Sequence, residues 1–89
     1  MTHDFMTSLP GADVLARAKM FFQERVPNNA AFPEHEGPGF LSLRGQGGEE
    51  VVFAVATVPQ GTRVRASSLL FDQAIDRFLS TLPAAVGAA

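Results

Sequence analysis

The stretch FLSLRGQGGEEVVFAVATVPQGTRVRAS (residues 40–67) decides how this chain folds. Residues 40–44, 49–58 and 62–67 are rich in β-branched and aromatic side chains, and turn-forming glycine or proline bounds each run. Gly45-Gln46-Gly47-Gly48 and Pro59-Gln60-Gly61 join the runs, so the segment predicts two hairpins and a three-stranded antiparallel meander. Successive side chains on a strand point to opposite faces, so the loop lengths set which residues share a face. A loop at 45–48 places Arg44 opposite Glu49, Ser42 opposite Val51 and Phe40 opposite Phe53. A loop at 59–61 places Thr57 opposite Arg63, Val55 opposite Arg65 and Phe53 opposite Ser67. The two registers agree in parity.

On that register one face carries Leu41, Leu43, Val52, Ala54, Ala56, Val58, Val64 and Ala66. It is almost wholly apolar, and its alanines let helices come close. The other face carries Phe40, Val51, Phe53 and Val55 in a stripe, with Ser42, Arg44, Glu49, Arg63, Arg65 and Ser67 around it. Aromatics and arginine around a dry centre are the composition of an interface rather than of a solvated sheet face. The expected binding face is therefore Phe40, Ser42, Arg44, Val51, Phe53, Val55, Arg63 and Arg65. A fold-back of the 27–39 loop or of the tails, a second copy or other partner, and a small ligand are the three candidate covers.

Helices flank the meander. Pro10 suits a first helical turn, Asp13 lies near the positive end of the helix dipole, and Pro27 stops the run. Val14, Leu15, Ala18, Phe21, Phe22 and Val26 recur at helical spacing between them, which predicts a helix over about 10–26. Leu70, Phe71, Ala74, Ile75, Phe78, Leu79 and Leu82 form a second apolar stripe, with Ser67 or Ser68 as its cap and Pro83 as its stop. Residues 27–39, PNNAAFPEHEGPG, read as a long loop pinned to the core by Phe32. The expected architecture is α+β, in the order helix, three-stranded meander, helix, with both helices on one sheet face. Residues 1–9 read as a flexible arm, 10–83 as a single domain and 84–89 as a frayed tail.

Motifs with chemical promise have plainer readings. Glu34-His35-Glu36 offers adjacent ligands that do not converge on a metal, so it reads as solvated loop charge and no metal site is expected. The 45–48 glycine-rich stretch joins two strands, whereas phosphate loops lead into a helix. Asp72 and Asp76 lie one turn apart on the polar side of the second helix, where solvation explains them. His3 belongs to the arm. Two histidines in loops build no Ser-His-Asp arrangement, so neither a catalytic residue nor a cofactor is assigned.

Composition narrows the classes further. The 89 residues include no cysteine, which removes disulfides, thiolate metal sites and cysteine nucleophiles. The net charge is −2 and only 18% of residues are charged, a balance that argues against non-specific nucleic-acid binding. The first ten residues, MTHDFMTSLP, have no signal-peptide pattern and no apolar run spans a bilayer, so a soluble, cytoplasmic, non-membrane protein is expected. A domain of this size is marginal alone and gains from oligomerisation.

The last third, GTRVRASSLLFDQAIDRFLSTLP (61–83), resembles the closing strand and C-terminal helix of the helix-grip superfamily, which includes the Bet v 1-like, START and polyketide cyclase-like proteins. The resemblance covers about a quarter of the chain and rests on pattern. It implies a sheet wrapped round a C-terminal helix that encloses an apolar ligand cavity. This chain is about half the usual length, and three strands cannot wrap a cavity unless two copies combine.

The leading expectation is a non-catalytic interaction module that self-associates or binds a protein partner through the open sheet face. The alternative is a binder of a small apolar or amphipathic acidic ligand, with Arg44, Arg63 or Arg65 on the acid. A third is single-stranded RNA binding by the aromatics and arginines of that face.

Overall fold

In the computed structural model, which describes residues 2–24, 31–45, 48–68 and 71–85, the chain folds as α+β with two helices and a five-stranded antiparallel sheet. The elements run β1 (Thr2–Thr7), α1 (Gly11–Glu24), β2 (Phe32–Gly37), β3 (Phe40–Arg44), β4 (Glu50–Val58), β5 (Gly61–Ser68) and α2 (Asp72–Leu79). The sheet order is β1-β5-β4-β3-β2. The expected three-stranded helix–meander–helix layout is thus corrected: β3, β4 and β5 are its centre, and one strand is added at each edge.

Both added strands come from segments with almost no apolar alternation. Strand β1 occupies the expected arm and pairs with β5 from Thr2↔Ser67 to Thr7↔Thr62. It turns His3, Phe5 and Thr7 toward the helices, so two of its three inward residues are polar. Thr7 tolerates complete burial because its hydroxyl donates to the Pro83 carbonyl (2.6 Å) and accepts from the Leu9 amide (3.2 Å). Strand β2 occupies part of the expected loop. It has a register shift between Pro33 and His35, and it is tied down by charge: Glu34 to Arg44 of β3, and Glu36 to Lys19 of α1 (2.6 Å).

The hairpin registers also differ from expectation, each by one residue. Arg44 pairs with Glu50 and Phe40 with Ala54, so the β3–β4 loop has five residues, 45–49. Val58 pairs with Gly61, so the β4–β5 turn is Pro59-Gln60 alone. One loop is longer than expected and the other shorter. Strand β4 is therefore reversed face for face relative to both neighbours.

The helices do share one sheet face. Leu41, Leu43, Val51, Phe53, Val64 and Ala66 are all buried there, under Val14, Ala18 and Phe22 of α1 and Ala74, Ile75 and Phe78 of α2. Phe53 is the hub: its ring meets Phe22 at 5.8 Å and Phe78 at 5.4 Å, edge to face. Helix α2 is shorter than its sequence pattern. It starts at Asp72 after Phe71, whose amide donates to Ser68 Oγ (2.9 Å), and its N-cap position has no side-chain cap. Residues 25–26 of the expected first helix and residues 27–30 of the expected loop lie outside the described residues, as does the side chain of Phe32.

Candidate functional site: the open face of the sheet

With β4 placed correctly, the face away from the helices can be rebuilt row by row. Directly paired residues of antiparallel strands lie side by side on the same face. One continuous row crosses all five strands: Gly37, Phe40, Ala54, Arg65 and Asp4. Beside it run His35, Ser42, Val52, Ser67 and Thr2 on one side, and Ala56, Arg63 and Met6 on the other. Arg44 and Glu50 form a further short row at the end of β3.

Five of the eight expected site residues are on this face: Phe40, Ser42, Arg44, Arg63 and Arg65. The other three, Val51, Phe53 and Val55, are on the helix side, where Val51 and Phe53 are fully buried and Val55 packs against the core. Their removal from the site follows from the one-residue shift of β4. Val52, Ala54, Ala56 and Val58 replace them. The signal that could have found this is size: the larger set of β4, with Phe53, belongs in the core, and the alanines belong outside.

The arginines are not free cations. Arg63 and Arg65 both reach Asp4 Oδ1, at 3.1 and 3.4 Å, which gives the β1–β5 side a net charge of +1 from these three groups. Arg44 makes a two-nitrogen fork onto Glu34, with its Nη2 at 3.0 Å from Oε1, and lies 3.6 Å from Glu50. Those three groups, one each on β2, β3 and β4, carry −1 at the Glu50 end of the face. The hydrogen bond from Arg44, with its positive charge, holds the Glu34 carboxyl below its ordinary value of 4.5 and raises the guanidinium in turn. Between the two charged sides lies the shallow apolar strip of β4. Phe40, 42% exposed, stands beside it with its ring against Gly37, where an added Cβ would lie 2.5 Å from the ring.

The sheet's edges are less open than its face. Pro33 and the register shift blunt β2, since proline cannot donate to a new neighbour. The C-terminal segment covers one end of β1: Ala84 bridges Thr7, Ala85 N donates to Met6 O, and Ser8 N donates to Pro83 O. Residues 83–85, placed at the domain's end and in the expected tail, are therefore bonded to the sheet. Residues 86–89 lie outside the described residues.

The remaining polar motifs resolve locally. His3 lies between two carboxylates of α2, with Nε2 2.8 Å from Asp72 and Nδ1 3.0 Å from Asp76. Both ring nitrogens are engaged, so this cluster staples the edge strand to the helix and offers no nitrogen to a substrate. Sequence reading separated these residues because nothing marked 2–7 as a strand. Glu34, His35 and Glu36 sit on β2, with His35 3.7 Å from Glu34. Among the described residues no three such side chains are grouped as a metal site, and no helix is long and apolar enough to cross a membrane. Gly45 and Gly48 belong to the β3–β4 loop, with Gly48 at φ +91°. Gly48 N donates to Gly45 O at 3.0 Å.

A second concavity lies between α1 and the β2–β3 hairpin. It is a groove of about 250 Å³ with Leu15, Ala16, Pro38, Phe40 and Leu41 among its walls, and the Lys19–Glu36 pair at its rim. Compared with models of protein families, with curated proteins and with solved structures, the chain matches none.

Proposed function

We propose that this domain is a non-catalytic interaction module whose working surface is the open face of the sheet. One observation carries the reading: Ala54 and Ala56 occupy the solvent side of the central strand, beside half-exposed Phe40. Alanine is a poor strand former, and an exposed central strand gains nothing from it. Small side chains do have a use where another surface must approach closely. The partnered arginines supply a polar rim around that strip, the arrangement that excludes water from an interface centre. Solution mass measured by light scattering, for the parent and for Ala54→Asp across a wide concentration range, tests it. The parent should associate and the variant, unchanged in its circular dichroism, should remain monomeric. A folded Ala54→Asp chain that associates as the parent does removes the reading.

The groove beside α1 favours a second reading, the binding of a small amphipathic acid. Its walls are apolar, and Lys19, paired with Glu36 at the rim, supplies the cation that an acid head group would take over from Glu36. The helix-grip resemblance is supported by a C-terminal helix packed on an antiparallel sheet, although α2 has only eight residues and the groove is open. Native mass spectrometry of freshly purified protein should then retain a ligand that Leu15→Glu loses.

A further inference from the structure

The groove between α1 and the β2–β3 hairpin has apolar walls except at one place. Ala12, Leu15 and Ala16 line it from α1, and Pro38, Phe40 and Leu41 from the hairpin. Lys19 and Glu36 are the only charged residues that line it, and they meet across its rim. Lys19 Nζ lies 2.6 Å from Glu36 Oε2 and 3.1 Å from Oε1, so one ammonium spans both carboxylate oxygens. The rim is therefore neutral as a whole, with one cation and one anion side by side next to an apolar floor. Resting on the reading of this groove as the site of a small amphipathic acid, we infer that the ligand class is the apolar α-amino acids. The ligand carboxylate takes Lys19, and the ligand ammonium takes the Glu36 that Lys19 gives up.

The pair itself selects the zwitterion. A ligand that carries only a carboxylate has to draw Lys19 away from Glu36. The displaced Glu36 then lies beside a second negative charge with its cation shared, and like charges at that range repel. What is gained at Lys19 is largely offset at Glu36. A ligand that carries only an ammonium meets the same difficulty at Lys19. An α-amino acid holds both charges on one carbon, so each side chain exchanges one partner for another and none is left over. Specificity of this kind comes from penalising the wrong ligand as much as from holding the right one. Both side chains reach solvent at the rim, so they can part without disturbing the core.

Size agrees with this class. The groove's volume of about 250 Å³ has room for about eight water-sized groups at ~30 Å³ each. That suits an aliphatic side chain with its head group and is short for a long acyl tail. Gly37 shapes the wall: an added Cβ there would lie 2.5 Å from the Phe40 ring, so glycine lets the ring lie where it closes this end of the groove.

Three probes with one carbon skeleton test it: L-leucine, isocaproic acid, which lacks the ammonium, and isoamylamine, which lacks the carboxylate. Each is titrated into the isotope-labelled full chain at neutral pH and fixed ionic strength, and the amide NMR shifts of α1 and the β2–β3 hairpin are followed. L-Leucine should bind about fivefold more tightly than either one-charge probe, the scale of a single exposed ion pair. Glu36→Gln should reverse that order in favour of isocaproic acid, because no carboxylate is then displaced beside it. Lys19→Gln should reverse it in favour of isoamylamine. A parent that binds either one-charge probe as tightly as L-leucine overturns the amino-acid inference and leaves the groove standing as a ligand site. A preference for L-leucine that survives both substitutions overturns it too, since the charges would then be met elsewhere. Failure of all three probes to bind, even in millimolar excess, overturns the groove reading and the inference with it.

Discussion

Phe53 and Ala54 are neighbours on β4 and lie on opposite sides of the same sheet. Phe53 is fully buried and touches rings from both helices, while Ala54 is exposed at the middle of a face with no helix on it. The helix side is built from large side chains that interlock, and its stability comes from area removed from water and from packing without voids. The open side is built from alanines, valines and one aromatic, with its charges already paired along the rim. One sheet thus carries a face that makes the fold and a face that the fold does not need.

The sharpest break in that comparison is a change at Phe53. Phe53→Ala should cost ~3–5 kcal/mol, the range for removing a fully buried ring. An 89-residue domain has about 5–15 kcal/mol in total, so the variant should be close to unfolding at room temperature. Chemical denaturation checks it. A loss below ~1 kcal/mol would mean that the hub of three rings is not where the stability of the helix side resides.

Gly61 comes next in size, because it protects the boundary between the faces. Its φ is +147°, a region that side-chain-bearing residues rarely adopt, and an added Cβ would lie 2.5 Å from the Thr7 carbonyl oxygen. Gly61→Ala should cost ~1–3 kcal/mol in backbone strain and push β1 away from the sheet. Hydrogen exchange of the β1 amides should accelerate more than that of β3. Equal acceleration in both strands would show that β1 does not depend on this close approach.

The faces also explain what could be read from the sequence. The α+β class, the three central strands, both helices and their common side were all legible, because apolar periodicity marks them. The edge strands were not. THDFMT places His3 and Thr7 inward, and PEHEG is held by ion pairs instead of burial, so neither segment shows the alternation that announces a strand. The site was half legible: Phe40, Ser42, Arg44, Arg63 and Arg65 were placed on the open face, and Val51, Phe53 and Val55 were not on it. Loop length is the cause. Reading the 45–49 loop one residue short and the 59–60 turn one residue long gives two errors that cancel in parity, so the mistaken registers agree with each other. Side-chain volume on β4 was the independent check, and it favours Phe53 inside.

The rim of the open face has its own acid sensitivity. The hydrogen bond and charge of Arg44 lower the Glu34 carboxyl below its ordinary value of 4.5. A carboxyl whose value is depressed on folding stabilises the fold fully above the unfolded value, and that contribution fades as pH falls through the lower folded value. The β2–β3 contact should therefore loosen as the pH falls below 4.5 and through the depressed folded value. Carboxyl NMR titration should place Glu34 below its ordinary value in the parent and return it upward in Arg44→Ala. An unchanged Glu34 in that variant would separate the pair from the acid response.

The smallest effect on stability is expected where the effect on assembly is largest. Ala56→Thr puts a β-branched residue on the solvent side of the central strand, where it has better strand propensity and no ring to displace. Surface changes of this kind stay within about ±0.5 kcal/mol, and this one should fall on the stabilising side. If the open face were only solvated surface, threonine would be the better residue there and association would be unaffected. If a second sheet lies over β4, the added atoms separate the two faces, and self-association should weaken even as the monomer gains stability. Denaturation and light scattering on the same preparation read the two quantities together. A gain in one with a loss in the other would mean that alanine is kept at position 56 for the surface it meets and not for the strand it belongs to.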